Sequence, residues 1–158
     1  MFISYGSLIT NYLKKEAMMA EVMFLTEEWV QAFKESVRNS PSYKEAAKTW
    51  EGDITLVIKA DSKVGMADDV YLYMDLWHGD CRDMRLVPKE EGESAKFVIT
   101  ASYDRWKQVA KGELEPVKGM MQGKLKLKGN LPYIVRYVQA GRELIKCTSK
   151  IPARFPDE

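Results

Sequence analysis

The sequence has few of the residues that most often carry chemistry. It holds a single histidine, His78, and two cysteines, Cys81 and Cys147. That is too few for a closed zinc site or a disulfide framework. Neither sign of charge is in surplus: 24 Lys and Arg stand against 23 Asp and Glu, a net charge of +1. A dedicated nucleic-acid binder needs extra cations to displace phosphate counterions, so that class is set aside. Apolar runs fall far short of the ~18 residues that would span a bilayer. The first residues lack the cationic start and the ~7–15-residue apolar stretch of a secretory leader, and unpaired cysteines agree with a cytoplasmic setting. There are no internal repeats and no low-complexity run.

What remains is a globular composition. The 158 residues leave room for one domain with a real core, and 46% are hydrophobic against 30% charged. Nine Met, four Trp, eight Tyr and five Phe make a soft and bulky apolar set. Methionine is unbranched and polarizable, so it fills irregular space and adapts to varied guests. Either these residues fill an ordinary core, or they line a cavity for flexible apolar ligands.

The chain divides into an N-terminal extension (residues 1–23), a domain (24–150) and a tail (151–158). In the extension Leu8, Ile9, Tyr12 and Leu13 fall at helical spacing before Lys14, Lys15 and Glu16 interrupt them, and Met18 and Met19 precede what reads as an ordinary domain start. Thr26 caps a helix bearing Trp29, Val30, Phe33 and Val37. Ser40 and Pro41 open a short second helix leading to Trp50. From Gly52 the apolar period changes from 3.6 to 2: Ile54, Leu56 and Ile58 share one strand face. A loop over 61–69 leads to a strand with Val70, Leu72, Met74 and Leu76 on one face and Tyr71, Tyr73, Asp75 and Trp77 on the other. Gly79-Asp80 reads as a tight turn into a third strand over 82–87. Residues 88–94 read as an acidic loop, and 97–100 as a fourth strand. Ser102 caps a helix carrying Trp106 and Val109, and Pro116 opens a turn of helix with Val117, Met120 and Met121. Residues 124–128 alternate as a strand, and Asn130 caps one long final helix with Leu131, Ile134, Val135, Val138 and Ile145 on a continuous face. The two prolines after Ile151 predict a loose tail. This order defines an α+β fold, an antiparallel-dominated sheet with helices gathered on one face.

Three groups invite a chemical reading. Asp75, His78 and Cys81 lie close in sequence, but Asp75 and His78 point to opposite strand faces, which is poor geometry for a nucleophile, base and orienter. Asp68-Asp69 and Glu90-Glu91 sit in polar loops without metal-ligand spacing, so no metal and no cofactor is expected. Lys124, Lys126 and Lys128 form a cationic row: either a solvated face that guards an edge strand, or a contact for anionic headgroups and phosphates. Around that row Met120, Met121, Leu125, Leu127, Ile134, Val135 and Val138 come from three successive elements. They pack as a filled core, or they border a pocket if the last helix crosses the sheet without filling the space beneath it.

Three segments then resemble a known family: Phe97-Val98-Ile99-Thr100-Ala101-Ser102; Gly112-Glu113-Leu114-Glu115-Pro116; and Met121-Gln122-Gly123-Lys124-Leu125-Lys126-Leu127-Lys128-Gly129-Asn130. Their "G-x-L-x-P" turn and "M-Q-G-K-L-K-hydrophobic-K-G" segment resemble the sterol carrier protein type 2 family over roughly residues 95–140, with compatible element order back to about residue 24. The resemblance implies a five-stranded, mainly antiparallel sheet covered by helices. It implies a hydrophobic tunnel for fatty acids, fatty acyl-CoA, sterols or other lipids, and neither catalytic residues nor metal. By motif position Gln122 falls at the tunnel beside Met120 and Met121. Phe97, Ile99, Trp106, Leu125, Leu127, Ile134, Val135 and Val138 would contribute to the lipid site. The chain ends Pro156-Asp157-Glu158, without the Ser-Lys-Leu peroxisomal signal. The expected function is a non-catalytic lipid carrier, with transient contact to anionic membranes and no nucleic-acid partner. A homodimer and an accessory interaction domain with a self-filled core stand as alternatives.

Overall fold

The computed structural model describes residues 21–158. The helical spacing at Leu8–Leu13, and most of the expected extension, lie outside the described residues. Helices start where capping chemistry places them. Thr26 accepts from the Trp29 N–H at the head of α1 (Glu27–Arg38), and Ser40 from Tyr43 at the head of α2 (Pro41–Ala46). Further on, Ser102 opens α4 (Tyr103–Ala110), Glu115 with Pro116 opens α5 (Pro116–Met121), and Asn130 opens α6 (Leu131–Val135). Each cap satisfies amide N–H groups that have no partner inside the helix.

The sheet comprises β2 (Glu51–Ile58), β3 (Val70–Trp77), β4 (Asp80–Val87), β5 (Phe97–Ala101) and β6 (Lys126–Lys128), in the order β4-β3-β2-β5-β6. β2 and β3 pair antiparallel along their full length, from Glu51 opposite Trp77 to Ile58 opposite Val70. Within this sheet only the β2–β5 pair is parallel. The expected α+β class and mainly antiparallel sheet therefore stand. β3 occupies one edge of β2, so the chain crosses to the other before β5 can pair. In that crossing the stretch expected to be a loop forms a helical turn, α3 (Lys89–Glu93). Gly92 seats it on the outer sheet face, where a Cβ would meet Tyr71 at 2.9 Å and Thr55 at 3.2 Å. On that face lies a small cluster of Val57, Tyr71, Val87, Ala95 and Val98. The inner face packs against the helices in the main core.

Several local expectations change. The hairpin turn is His78-Gly79 rather than Gly79-Asp80. Both residues have positive φ (48° and 82°), the combination a two-residue turn needs to match strand twist. β6 starts at Lys126, because the amides of Lys124 and Leu125 both donate to the Gly119 carbonyl at the end of α5. The long final helix is two helices, α6 and α7 (Val138–Ser149), broken at Arg136-Tyr137. Tyr137 hydrogen-bonds Thr49, and Tyr133 accepts from the Glu51 N–H at 3.1 Å, so both rings are drawn toward the start of β2. The break turns Val135 to solvent.

The C-terminal residues are docked, not loose. β1 (Val22–Met23) pairs in parallel with β7 (Ala153–Arg154), and Phe155 packs 4.9 Å from Phe24. Lys107 and Lys111 hold Asp157 and Glu158 and keep both carboxyls below their usual range. A lowered folded pKa contributes stability above the unfolded value and loses it as pH falls through the folded value. The Phe24 amide, which donates to Arg154 at 2.8 Å, should therefore lose hydrogen-exchange protection in acid before the sheet amides do.

Phe97 pins β2, β5 and β6 together. A Cβ on Gly52 would lie 2.8 Å from its ring and one on Gly129 2.7 Å, and both glycines have φ near the glycine-only region (141° and 145°). Gly129→Ala combines that strain with the clash and should cost roughly 1–3 kcal/mol. A lower urea midpoint with unchanged m value is the expected result.

Candidate functional site

A cavity of about 130 Å³ lies between the inner sheet face and the helices. Its floor is the alternating set read from the sequence: Ile54, Leu56 and Ile58 of β2, Leu72, Met74 and Leu76 of β3, and Ile99 of β5. Its roof is contributed by Trp29 and Phe33 of α1, Trp106 and Val109 of α4, Val117 and Met120 of α5, Ile134 of α6, and Ala140, Leu144 and Ile145 of α7. Trp50 closes one end, with ring centroids 5.1 Å from Phe97, 5.2 Å from Tyr133 and 5.0 Å from Tyr137.

The wall is apolar, and several of its few polar atoms bond to other parts of the protein. Trp50 Nε1 donates to the Gly52 carbonyl at 2.8 Å, and Trp106 Nε1 to Val57 at 2.9 Å. The Thr148 hydroxyl donates to Ile145 at 2.7 Å, with a second contact to Ala110 at 3.3 Å. Burial, reinforced by the Cys81 and Cys147 thiols, pushes the Tyr43 phenol above its ordinary range and keeps it neutral. Among the described residues the wall contains no carboxylate, amine, imidazole or thiol. Such a space can sequester apolar groups.

Of the residues expected from the sequence, Ile99, Trp106, Met120, Leu125 and Ile134 meet in this wall. Phe97 is buried behind Trp50. Leu127 and Val138 are half-buried against the core outside the lining. Met121 is 64% exposed and Val135 37%, and Gln122 is also on the surface. Lys124, Lys126 and Lys128 are exposed. Leu127 packs inward, so by strand alternation Lys126 and Lys128 project from the opposite sheet face, away from the cavity. The largest omission is the aromatic group on the N-terminal side: Phe24, Trp29, Phe33, Tyr43 and Trp50. Its signal was the spacing of Trp29 and Phe33 on α1, which reads equally well as plain core.

Asp75, His78 and Cys81 do not assemble. Arg82 holds Asp75 at 2.9 Å, and His78 Nε2 lies 2.9 Å from Glu51. Burial pushes the Cys81 thiol up to about 11. Asp69 is occupied by Lys59 and the Ala60 amide, and Glu91 by Arg85.

One wall position is unusual. Gly141 lies inside α7, where glycine is unfavourable, yet an added Cβ would meet nothing within 4 Å. Its bare backbone leaves an opening beside half-buried Leu144 and Ile145.

An α+β sheet roofed by helices over an apolar cavity is an architecture suited to holding an apolar ligand. Residues 30–140 match the profile of the SCP-2 sterol transfer family, and the chain belongs to that family. It is similar to a crystal structure of sterol carrier protein 2, with 40% identity and a TM-score of 0.73 over 81% of this chain and 98% of that one. A conserved hypothetical protein from Thermus thermophilus, described as possibly a sterol carrier protein, is 39% identical, with a TM-score of 0.75 over 85% of this chain and 94% of that one. Palmitated SCP2L2 from Aedes aegypti shares the fold at 16% identity and a TM-score of 0.51, over 73% of this chain and 93% of that one. No curated protein matches the chain. Among the described residues no helix is long and apolar enough to cross a membrane.

Gly141→Ala should stabilise α7 by about 0.5–1 kcal/mol, because the methyl enters open space. A melting temperature raised by a few degrees is the expected readout.

Proposed function

We propose that this protein is a non-catalytic carrier that holds a fatty acid, a fatty acyl-CoA or a similar apolar chain in the cavity. The observation that carries this reading is an apolar void whose wall, among the described residues, has no charged side chain. Burying a long acyl chain at ~0.8 kcal/mol per CH₂ supplies on the order of 10 kcal/mol before ordering costs. That is enough for micromolar affinity or better without polar recognition.

The void is smaller than such a ligand. An apolar cavity of about 150 Å³ takes a molecule the size of benzene. A longer chain requires the roof to part from the sheet. The short helices α5 and α6, with flexible Met120 between them and the sheet, are the pieces best suited to move. The palmitated mosquito relative shares this fold, which supports the reading.

On this reading the lysine row has a separate role. Lys124, Lys126 and Lys128 form no ion pair among the described residues, and each contributes about 1 kcal/mol of attraction near an anionic membrane. Exposed Met121 lies on the adjoining turn and offers an apolar foothold. A cytoplasmic setting, consistent with two buried free thiols, completes the proposal.

Trp29, Trp50 and Trp106 all line the cavity, so delipidated protein titrated with fatty acids should show saturable changes in tryptophan emission. Ala140→Phe places a ring in the void and should lower fatty-acid affinity at least tenfold while a thermal melt remains cooperative. No saturable signal with short, medium or long chains would refute the carrier.

A further inference from the structure

A second space adjoins the cavity. It is a groove of about 390 Å³ that shares Phe24, Trp29, Ala110 and Thr148 with the cavity wall. Its far side is formed by Lys111, Glu113 and the C-terminal segment at Ile151, Ala153 and Phe155. An apolar chamber and a charged groove thus stand back to back, separated by one layer of side chains.

Helix α4 serves both spaces. Trp106, Val109 and Ala110 face the cavity. Tyr103, Lys107 and Lys111 recur every four residues along a neighbouring stripe, and their polar tips gather at one place. There Glu158 Oε1 lies 2.9 Å from Lys107 Nζ and 2.5 Å from Lys111 Nζ. Asp157 accepts from Lys107 at 2.9 Å and from the Tyr103 hydroxyl at 2.9 Å. Both ammonium groups sit over the Phe155 ring, at 5.2 and 4.9 Å.

Lys107 is only 17% exposed, and its ion partners among the described residues are those two carboxylates alone. An ammonium whose stem is packed and whose hydrogen bonds go to carboxylates favours an anion at its tip. The Asp157 and Glu158 carboxylates thus occupy a cationic cluster that adjoins the groove through Lys111.

Resting on the carrier reading, we propose that Lys107, Lys111 and Tyr103 form the headgroup subsite for an anionic amphiphile. Its chain lies in the apolar cavity, and its carboxylate or phosphate takes the place now held by Glu158. The chain would pass between Phe24 and Trp29 on one side and the Ala110–Thr148 contact on the other. Glu113, on the groove wall, disfavours a second negative charge there and so favours a singly charged head.

The test compares palmitate, hexadecyl phosphate and uncharged hexadecanol on delipidated full-length protein. In the double variant Asp157→Asn, Glu158→Gln the competing anions are removed, and palmitate should bind roughly two- to fivefold tighter, the scale of a part-exposed ion pair. Lys111→Gln should weaken palmitate by a similar factor, and Lys107→Gln by more. Hexadecanol affinity should stay unchanged throughout, and the relative response of hexadecyl phosphate tells carboxylate from phosphate preference. Palmitate and hexadecanol binding every variant alike would overturn the subsite and leave the carrier standing. Failure of all three ligands on every variant would instead overturn the carrier reading. Lys111, at the helix end, is the variant least coupled to folding and keeps the test decisive if Lys107→Gln unfolds.

Discussion

Everything in this molecule depends on a helical layer that is held off its sheet rather than packed flush upon it. Bulky rings act as struts: Trp29 and Phe33 from α1, Tyr43 from α2, Trp50 before β2 and Trp106 from α4 all reach into the space between the layers. At about 24 cal/mol per Å³, a void of 130 Å³ lowers stability by about 3 kcal/mol relative to a filled core. Well-anchored polar tips, as on Trp50 and Trp106, keep the struts from collapsing inward, since inward collapse would leave a buried N–H without an acceptor.

The same economy appears in α4, whose adjacent stripes serve two environments. One stripe completes the roof of an apolar chamber, and the other gathers cations that the end of the chain neutralises. The β1–β7 pair and the Phe24–Phe155 contact hold that end beside the chamber. Tail and roof are thereby linked through Phe24, which touches both spaces.

Much of the fold was legible beforehand. Thr26, Ser40, Ser102 and Asn130 announce helix starts, because a side-chain oxygen next to a free amide is a local interaction that needs no tertiary partner. The strand faces of β2 and β3 were equally plain from their period of two, and those faces became the cavity floor. Less visible were elements that depend on distant partners: the parallel β2–β5 pairing, the turn α3 over Gly92, and the break between α6 and α7. Tyr133 and Tyr137 hydrogen-bond residues more than 80 positions away, and no helical periodicity contains that information. The exposed positions of Met121, Gln122 and Val135 follow from the same break and from the tight turn at Gly119.

Sequence alone determined the class of protein: its caps, its alternating strands and its family motifs are all properties of near neighbours along the chain. Whether the apolar residues would close into a solid or leave a chamber was decided only in three dimensions. That outcome depends on how far the struts hold one layer from another, a distance set by side chains from elements that meet only when the chain is folded. The placing of Asp157 and Glu158 on Lys107 and Lys111 is of the same kind, since a pairing across about fifty residues exists only once the terminal strand has found β1.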